Sequence, residues 1–158
     1  MNLNLIKKIA THKYIALVLR LYIGGLFVYA SMYKINYAGE FAASIANYQI
    51  VPFWAVNIMA LLMPWMELIC GLLLVAGIRT HAATIIIMGF LIMFTMAIFI
   101  NLIRGVQIGC GCFNSLETPM SWLTFLRDLT WVAMTVHIYF FDKAFQLGKL
   151  FTVRLKDI

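Results

Sequence analysis

The sequence predicts an all-α protein, an integral membrane bundle of four helices in one domain that spans residues 1–158. Hydrophobic residues make up 64% of the chain and charged residues 11%, whereas a soluble domain carries roughly 25% charged residues. The mean hydropathy of +0.94 points the same way. Four stretches are long enough to cross ~30 Å of membrane lipid, which takes about 20 helical residues; they lie at about 14–33, 53–78, 82–102 and 119–141.

The positions of the basic residues predict how these helices are oriented. Eight of the twelve Lys and Arg residues lie near the N-terminus, in the short turn after the second stretch, or after the fourth stretch: Lys7, Lys8, Lys13, Arg79, Lys143, Lys149, Arg154 and Lys156. Cytoplasmic loops carry an excess of Lys and Arg, so both termini are expected in the cytoplasm and the longer loops at 34–52 and 103–118 outside. This orientation explains the net charge of +6, and we predict no binding to nucleic acid.

The outer loop at 103–118 contains the sequence IGCGCFNS, in which Cys110 and Cys112 flank Gly111. A disulfide that encloses one residue stabilises a fold little through chain entropy, and strained disulfides are the more oxidising and labile ones. Redox chemistry is therefore the favoured interpretation, with half of a metal site and incidental loop cysteines as alternatives. We predict no metal site, because a closed zinc site needs four ligands and the three histidines of the chain are expected on the cytoplasmic side.

Four charged residues fall inside the apolar stretches: Arg20, Glu67, Arg127 and Asp128. A charge in mid-membrane costs about 2.5 kcal/mol or more, so such groups usually face the interior of a bundle and find partners there. At 1.5 Å per residue, the depths of Arg20 and Glu67 differ by roughly 7 Å, and we expect the two to pair if the first two helices are neighbours. The alternatives for this pair are a structural ion pair, a neutral Glu67, or a proton or quinone site.

The fourth stretch carries a polar face that is expected to turn into the bundle below the cysteine loop. Its members are spaced by three, four and seven residues, which places them on one side of a helix that we expect to begin at 118–119: Ser121, Thr124, Asp128 and Thr135.

Four residues near this face are candidates for a role at the dithiol. Arg104 and Arg127 would favour a thiolate, because a nearby cation stabilises it. Asp128 would orient Arg127 or accept a proton. Trp122 stands beside the loop and is a candidate to cover it or to stack on a cofactor.

Four segments in a fixed order resemble the DoxX/MauE group of small four-helix bacterial membrane proteins. They are LRLYIGGLFVYASMYKI with Arg20 and Lys34, PWMELICGLLLVAGIRT with Glu67, NLIRGVQIGCGCF, and SWLTFLRDL. The resemblance covers about residues 14–142, and CGCF followed by Arg-Asp is most similar to the MauE-like branch. It implies a bacterial inner-membrane protein whose cysteine loop faces the periplasm. By this resemblance, Cys110 and Cys112 correspond to the paired cysteines of the branch.

The same resemblance implies redox work at the outer face of the membrane. DoxX-type subunits are associated with thiosulfate:quinone oxidoreductases, and MauE-like proteins with disulfide chemistry beside thioredoxin-like or rhodanese-like partners. We therefore expect a thiol or thiosulfate:quinone oxidoreductase, or a subunit of one, that passes electrons between an outer thiol or sulfur substrate and quinone through Cys110 and Cys112. Glu67, Arg20 and Trp122 are the candidate residues for a quinone near the polar face of the fourth helix. The alternatives are a non-catalytic membrane anchor for a periplasmic enzyme and a small transporter for a sulfur compound.

Overall fold

The computed structural model describes residues 13–105 and 121–142, and every element it contains there is a helix. The elements are α1 (Lys13–Asn36), α2 (Ala38–Asn47), α3 (Phe53–Ala76), α4 (Thr80–Ile103) and α5 (Trp122–Phe141). The predicted all-α class is confirmed. Of these helices, α1, α3 and α4 are long and apolar enough to cross a membrane.

The predicted outer loop at 34–52 is wrong, because α1 continues to Asn36 and α2 occupies most of the residues between α1 and α3. The segment that forms α2, AGEFAASIAN, is rich in alanine, which has the highest intrinsic helix propensity. Its apolar Phe41 and Ile45 stand four residues apart on one side of the helix and are buried against Val56 and Ala60 of α3. The prediction missed α2 because it searched only for stretches of membrane-spanning length.

The two ends of the bundle are defined by the connections between helices. Between α3 and α4, Gly77 and Arg79 adopt left-handed conformations with φ of 73° and 47°, and the chain reverses in a tight turn; we call this end the turn end. At the opposite end, the α2 end, α2 joins α1 to α3. Helices α4 and α5 are antiparallel neighbours, since Phe99 meets Phe125 at a ring distance of 5.5 Å and His81 meets Tyr139 at 5.4 Å.

The predicted start of the last helix, at 118–119, is corrected by the backbone at Ser121. This residue is extended, with φ of −136° and ψ of 163°, and its side chain accepts a hydrogen bond from the backbone N–H of Thr124. Serine is among the preferred N-cap residues because its hydroxyl satisfies a donor of the first turn. Helix α5 therefore begins at Trp122, directly after the segment that carries the two loop cysteines.

Close contact between α1 and α3 depends on two glycines. A Cβ added at Gly71 would lie 3.0 Å from the carbonyl oxygen of Gly24, and one added at Gly24 would lie 3.1 Å from the carbonyl oxygen of Gly71. Small residues let helix backbones approach in this way in membrane proteins. Beside the crossing, α1 and α3 contribute to a core that also contains residues of α4 and α5: Ile23, Phe27, Cys70, Leu74, Ala83, Ile87, Leu91, Trp131 and Ile138.

Replacing Gly71 with Leu is expected to lower the free energy of unfolding by about 1–3 kcal/mol, the usual range for overpacking. The carbonyl of Gly24 belongs to a helix backbone and cannot move aside as a side chain would. The matched control is Gly25→Leu, since a Cβ at Gly25 meets nothing within 4 Å. Thermal unfolding in detergent measures both, and equal melting temperatures for the two variants would contradict the prediction.

Candidate functional site

Lys34 and Glu67 form an ion pair in the interior of the bundle. The Lys34 ammonium donates hydrogen bonds of 2.8 Å to both oxygens of the Glu67 carboxylate. The two side chains are 3% and 1% exposed. Two charges held away from water need a close partner of opposite sign, and this pair supplies one for each residue.

The tilt of side chains along a helix explains why these two residues meet. Each Cα–Cβ bond in a helix is inclined towards the N-terminus of that helix. Because α1 and α3 are antiparallel, Lys34 leans from the α2 end towards the middle of the bundle and Glu67 leans from the middle towards the α2 end. Arg20 leans away, towards the turn end. The predicted Arg20–Glu67 pair is therefore wrong, although α1 and α3 are the neighbours that it required.

Arg20 instead binds a carboxylate at the turn end. Its Nη1 donates to both oxygens of Asp142 at 3.3 Å, and the side chains are 3% and 2% exposed. Asp142 directly follows α5, so the bond ties the end of the last helix to α1. The position of Arg20 at the turn end does not support its predicted role in a quinone site together with Glu67.

The third ion pair joins neighbouring residues of α5. Arg127 donates from Nε and from Nη2 to Oδ1 of Asp128, both at 3.2 Å, and its guanidinium lies 4.6 Å from the centre of the Trp131 ring. The Arg127 side chain is 42% exposed, whereas that of Asp128 is 2% exposed. Asp128 and Thr135 are both buried, which agrees with the prediction that the polar face of this helix turns inward.

A small cavity brings Lys34, Glu67 and Asp128 together. These three side chains line it with six apolar neighbours from α1, α4 and α5: Leu26, Phe27, Ala30, Leu91, Phe94 and Trp131. The cavity offers about 30 Å³ to the centre of a water molecule. It has room for a water-sized group and is too small for a quinone ring.

Aromatic rings separate this charge cluster from a larger apolar cleft. The Lys34 ammonium lies 5.0 Å from the ring centre of Phe41 and 4.5 Å from that of Phe94, within the range of a cation–π contact. Both rings also line a cleft of about 220 Å³ between α2, α3 and α4. The other side chains of this cleft are mostly aliphatic, with four methionines among them: Met59, Met63, Met93 and Met96.

The other predicted site residues lie apart from the cavity or outside the described residues. Arg104 is exposed, directly after α4. Trp122 is 60% exposed at the start of α5, where its ring meets that of Phe125 edge-on. Cys110 and Cys112 lie outside the described residues, so the roles predicted for them stay predictions. The third cysteine, Cys70, is buried in the apolar core, where cysteine behaves as a small apolar residue.

Sequence reasoning missed Lys34 as the partner of Glu67. It placed Lys34 at the boundary of a loop, whereas α1 extends two residues beyond it. The position of Lys34 next to an apolar stretch was a usable signal, because a lysine close to a helix end can lean back into the bundle. Among the described residues, no group of three or more His, Cys, Asp or Glu is arranged to hold a metal ion.

One protein family matches the sequence along most of its length. The family described as "Methylamine utilisation protein MauE" matches residues 12–141. The chain is similar to the methylamine utilization protein MauE of Paracoccus denitrificans, with 35% identity over 122 residues that cover 76% of this chain and 66% of the relative. It is also similar to the proteins of the same name from Methylophilus methylotrophus and Methylorubrum extorquens. The first is 33% identical over 78% of this chain and 67% of the relative; the second is 32% identical over 63% and 54%.

The chain thus spans between about half and two thirds of the length of these relatives. No solved structure matches it. The matched residues 12–141 include the whole of helices α1 to α5, and also the segment between α4 and α5 that carries Cys110 and Cys112.

Proposed function

The chain belongs to the MauE family, and on that premise we propose that it is a membrane protein of methylamine utilisation that performs thiol/disulfide exchange. Cys110 and Cys112 exchange with a thiol or sulfur substrate, or with a thioredoxin-like or rhodanese-like partner, and pass two electrons on to a membrane quinone. The methylamine context comes from the names of the related proteins. The redox chemistry comes from the paired cysteines in CGCF.

The observation that carries this proposal is where the buried charges lie relative to the cysteine segment. Since α4 ends and α5 begins at the α2 end, the chain leaves and re-enters the bundle there around Cys110 and Cys112. Asp128 is seven residues along α5 from Ser121, or about 10 Å at 1.5 Å per residue. A carboxylate that can accept a proton is thus buried about 10 Å from the point where the segment with Cys110 and Cys112 joins α5.

We propose that α5 is the fourth membrane span. Its 20 residues would measure about 30 Å, the thickness of the hydrocarbon core. Large apolar side chains cover its outer surface, as they do on the three candidate spans: Leu123, Leu126, Leu129, Val136 and Phe140. With four spans, both termini lie in the cytoplasm and the dithiol in the periplasm of a bacterial inner membrane, in accordance with the distribution of basic residues.

The proposed reaction balances with one dithiol substrate and one quinone. A substrate thiolate attacks one sulfur of the Cys110–Cys112 disulfide, forms a mixed disulfide and releases the other cysteine as a thiolate. The second substrate thiol then attacks the substrate's own sulfur in the mixed disulfide, and the first cysteine leaves. The substrate is oxidised to a disulfide and the chain holds a dithiol. Reoxidation of Cys110 and Cys112 transfers two electrons and two protons to the quinone, which becomes a quinol.

The apolar cleft between α2, α3 and α4 is the better fit for the quinone ring. The cavity on the polar face of α5, where the sequence led us to expect the ring, offers only about 30 Å³, whereas the cleft offers about 220 Å³. Small-molecule sites are mostly apolar with a few polar groups. Phe94 is common to both spaces, so a ring in the cleft would stand beside the Lys34–Glu67 pair.

The experiment that tests this function measures quinone reduction by the purified chain in lipid vesicles. Dithiothreitol is supplied outside and a short-chain quinone in the membrane, and quinol formation is compared with that of protein-free vesicles. Quinone reduction well above the protein-free rate is expected. A chain that exchanges no electrons, yet copurifies with a thioredoxin-like protein, would overturn the proposal in favour of the non-catalytic anchor. The transporter alternative loses its main support, because Arg20 and Glu67 do not pair.

A further inference from the structure

We infer that the cavity between Lys34, Glu67 and Asp128 binds a single water molecule, and that this water links Asp128 to Glu67 as a proton-transfer site. The water site follows from the geometry of the described residues alone. Its role in proton transfer rests on the proposed function, since oxidation of a dithiol releases two protons that some group must take.

The hydrogen-bonding capacity of the three side chains leaves positions for a bridging molecule. A lysine ammonium has three donors, and Lys34 directs two of them to Glu67. The two hydrogen bonds that Arg127 donates to Asp128 both reach Oδ1. Within residues 13–105 and 121–142, no hydrogen bond reaches Oδ2 of Asp128, although the side chain is 2% exposed. One donor and one acceptor therefore remain unused around the same cavity.

The size and lining of the cavity suit one water. A water needs about 10–15 Å³ of space for its centre and two to four polar partners, and the cavity offers about 30 Å³. The remaining Lys34 donor and the Asp128 Oδ2 are two partners, and the carboxylate of Glu67 is a third. A water that bridges two polar groups is nearly as favourable as a direct hydrogen bond, so water in this position would bond to Asp128 as well as fill the space.

The charges around the cavity balance before a proton arrives. Lys34 from α1 and Arg127 from α5 are cations, Glu67 from α3 and Asp128 from α5 are anions, and the lining residues of α4, Leu91 and Phe94, are apolar. A proton from the dithiol would reach Asp128 first, because Asp128 is on α5 and close to the start of that helix. The proton would then pass through the water to Glu67. The second proton then finds Asp128 ionised again, and both move on to the reduced quinone.

Two variants separate the water site from the charges around it. Ala30 lines the cavity, so Ala30→Val fills the space and displaces the water without changing any charge. Asp128→Asn keeps a group of similar shape but removes the carboxylate that accepts a proton. The matched control is Ala16→Val, the same change at another buried alanine of α1 that does not line the cavity.

The first measurement is a high-resolution structure of the wild-type chain and of Ala30→Val. We expect solvent density within hydrogen-bonding distance of Lys34 and Asp128 in the wild type, and its loss in the variant. A cavity without solvent density in the wild type would overturn the water site.

The second measurement is quinone reduction in vesicles, driven by dithiothreitol. Ala30→Val and Asp128→Asn are each expected to lower the rate at least tenfold, since a positioned proton acceptor typically contributes 10²-fold or more. For Ala30→Val, reduction of the Cys110–Cys112 disulfide by dithiothreitol, followed by thiol labelling, should stay at the wild-type rate, as should both readouts for Ala16→Val. If the wild type reduces quinone and both variants match it, the proton-transfer role is wrong. If the wild type itself reduces none, the proposed function has failed, and the solvent density still decides the water site.

Discussion

Replacing Lys34 with Met is expected to destabilise the folded chain by about 3–5 kcal/mol, the range for removal of one partner from a buried ion pair. Glu67 is 0% exposed, and Lys34 is the only residue of the described helices that donates a hydrogen bond to it. In the variant, Glu67 would have to stay charged without a partner or take up a proton. Both alternatives raise the free energy of the folded state.

The double variant Lys34→Met with Glu67→Met tests the reason for this loss. It removes both charges and keeps two side chains of similar length among apolar neighbours, and such replacements are often neutral or stabilising. We expect most of the lost stability to return. The matched controls are Arg104→Met and Glu40→Gln at exposed positions of the same end, which should change the stability by less than about 0.5 kcal/mol.

Chemical unfolding in detergent, measured for the wild type, each single variant and the double variant, gives the coupling energy between Lys34 and Glu67. If the single variant is as stable as the wild type, or if the double variant is the least stable of the four, the pair does not hold α1 to α3 in the way the structure indicates. A stable double variant would also provide a folded chain without these charges for the vesicle assay.

The membrane helices could be predicted from the sequence because hydrocarbon thickness fixes their length. The ranges expected at 53–78 and 82–102 agree with α3 and α4 to within two residues at each end. Helix α2 has a weaker signal, a ten-residue amphipathic segment that is stabilised by its contact with α3. No length rule finds such a segment, because a short helix depends on tertiary packing more than on its own propensity.

The residues of the site could be predicted, but their pairing could not. Burial cost identified Glu67, Arg20 and Asp128 as groups that need partners, and all three have one. The choice of partner depends on where α1 and α3 cross, which Gly24 and Gly71 determine, and on the direction in which each long side chain leans. The depth of a residue, counted from the end of its helix, gives neither the crossing point of the helices nor the direction of the side chain.

Replacing both Cys110 and Cys112 with Ser is expected to abolish dithiothreitol-dependent quinone reduction while leaving the stability of the chain unchanged. Serine cannot form the disulfide through which the two electrons pass. The ion pairs and apolar cores of the described helices use neither residue, so unfolding in detergent should match that of the wild type. The matched control is Cys70→Ala, which changes a cysteine in the core and should retain quinone reduction.

The single variants distinguish a catalytic dithiol from a docking loop. With only one loop cysteine present, its thiolate can still attack the disulfide of an oxidised substrate protein and form a mixed disulfide. This chain then has no second thiol to complete the reverse exchange, so a covalent complex that a reducing agent releases should accumulate. The wild type should show little of this complex and the double serine variant none. Full quinone reduction by the double variant would disprove catalysis by the dithiol. A stable noncovalent complex that survives loss of both cysteines, without any mixed disulfide in the single variants, would assign this membrane bundle to anchoring a partner enzyme.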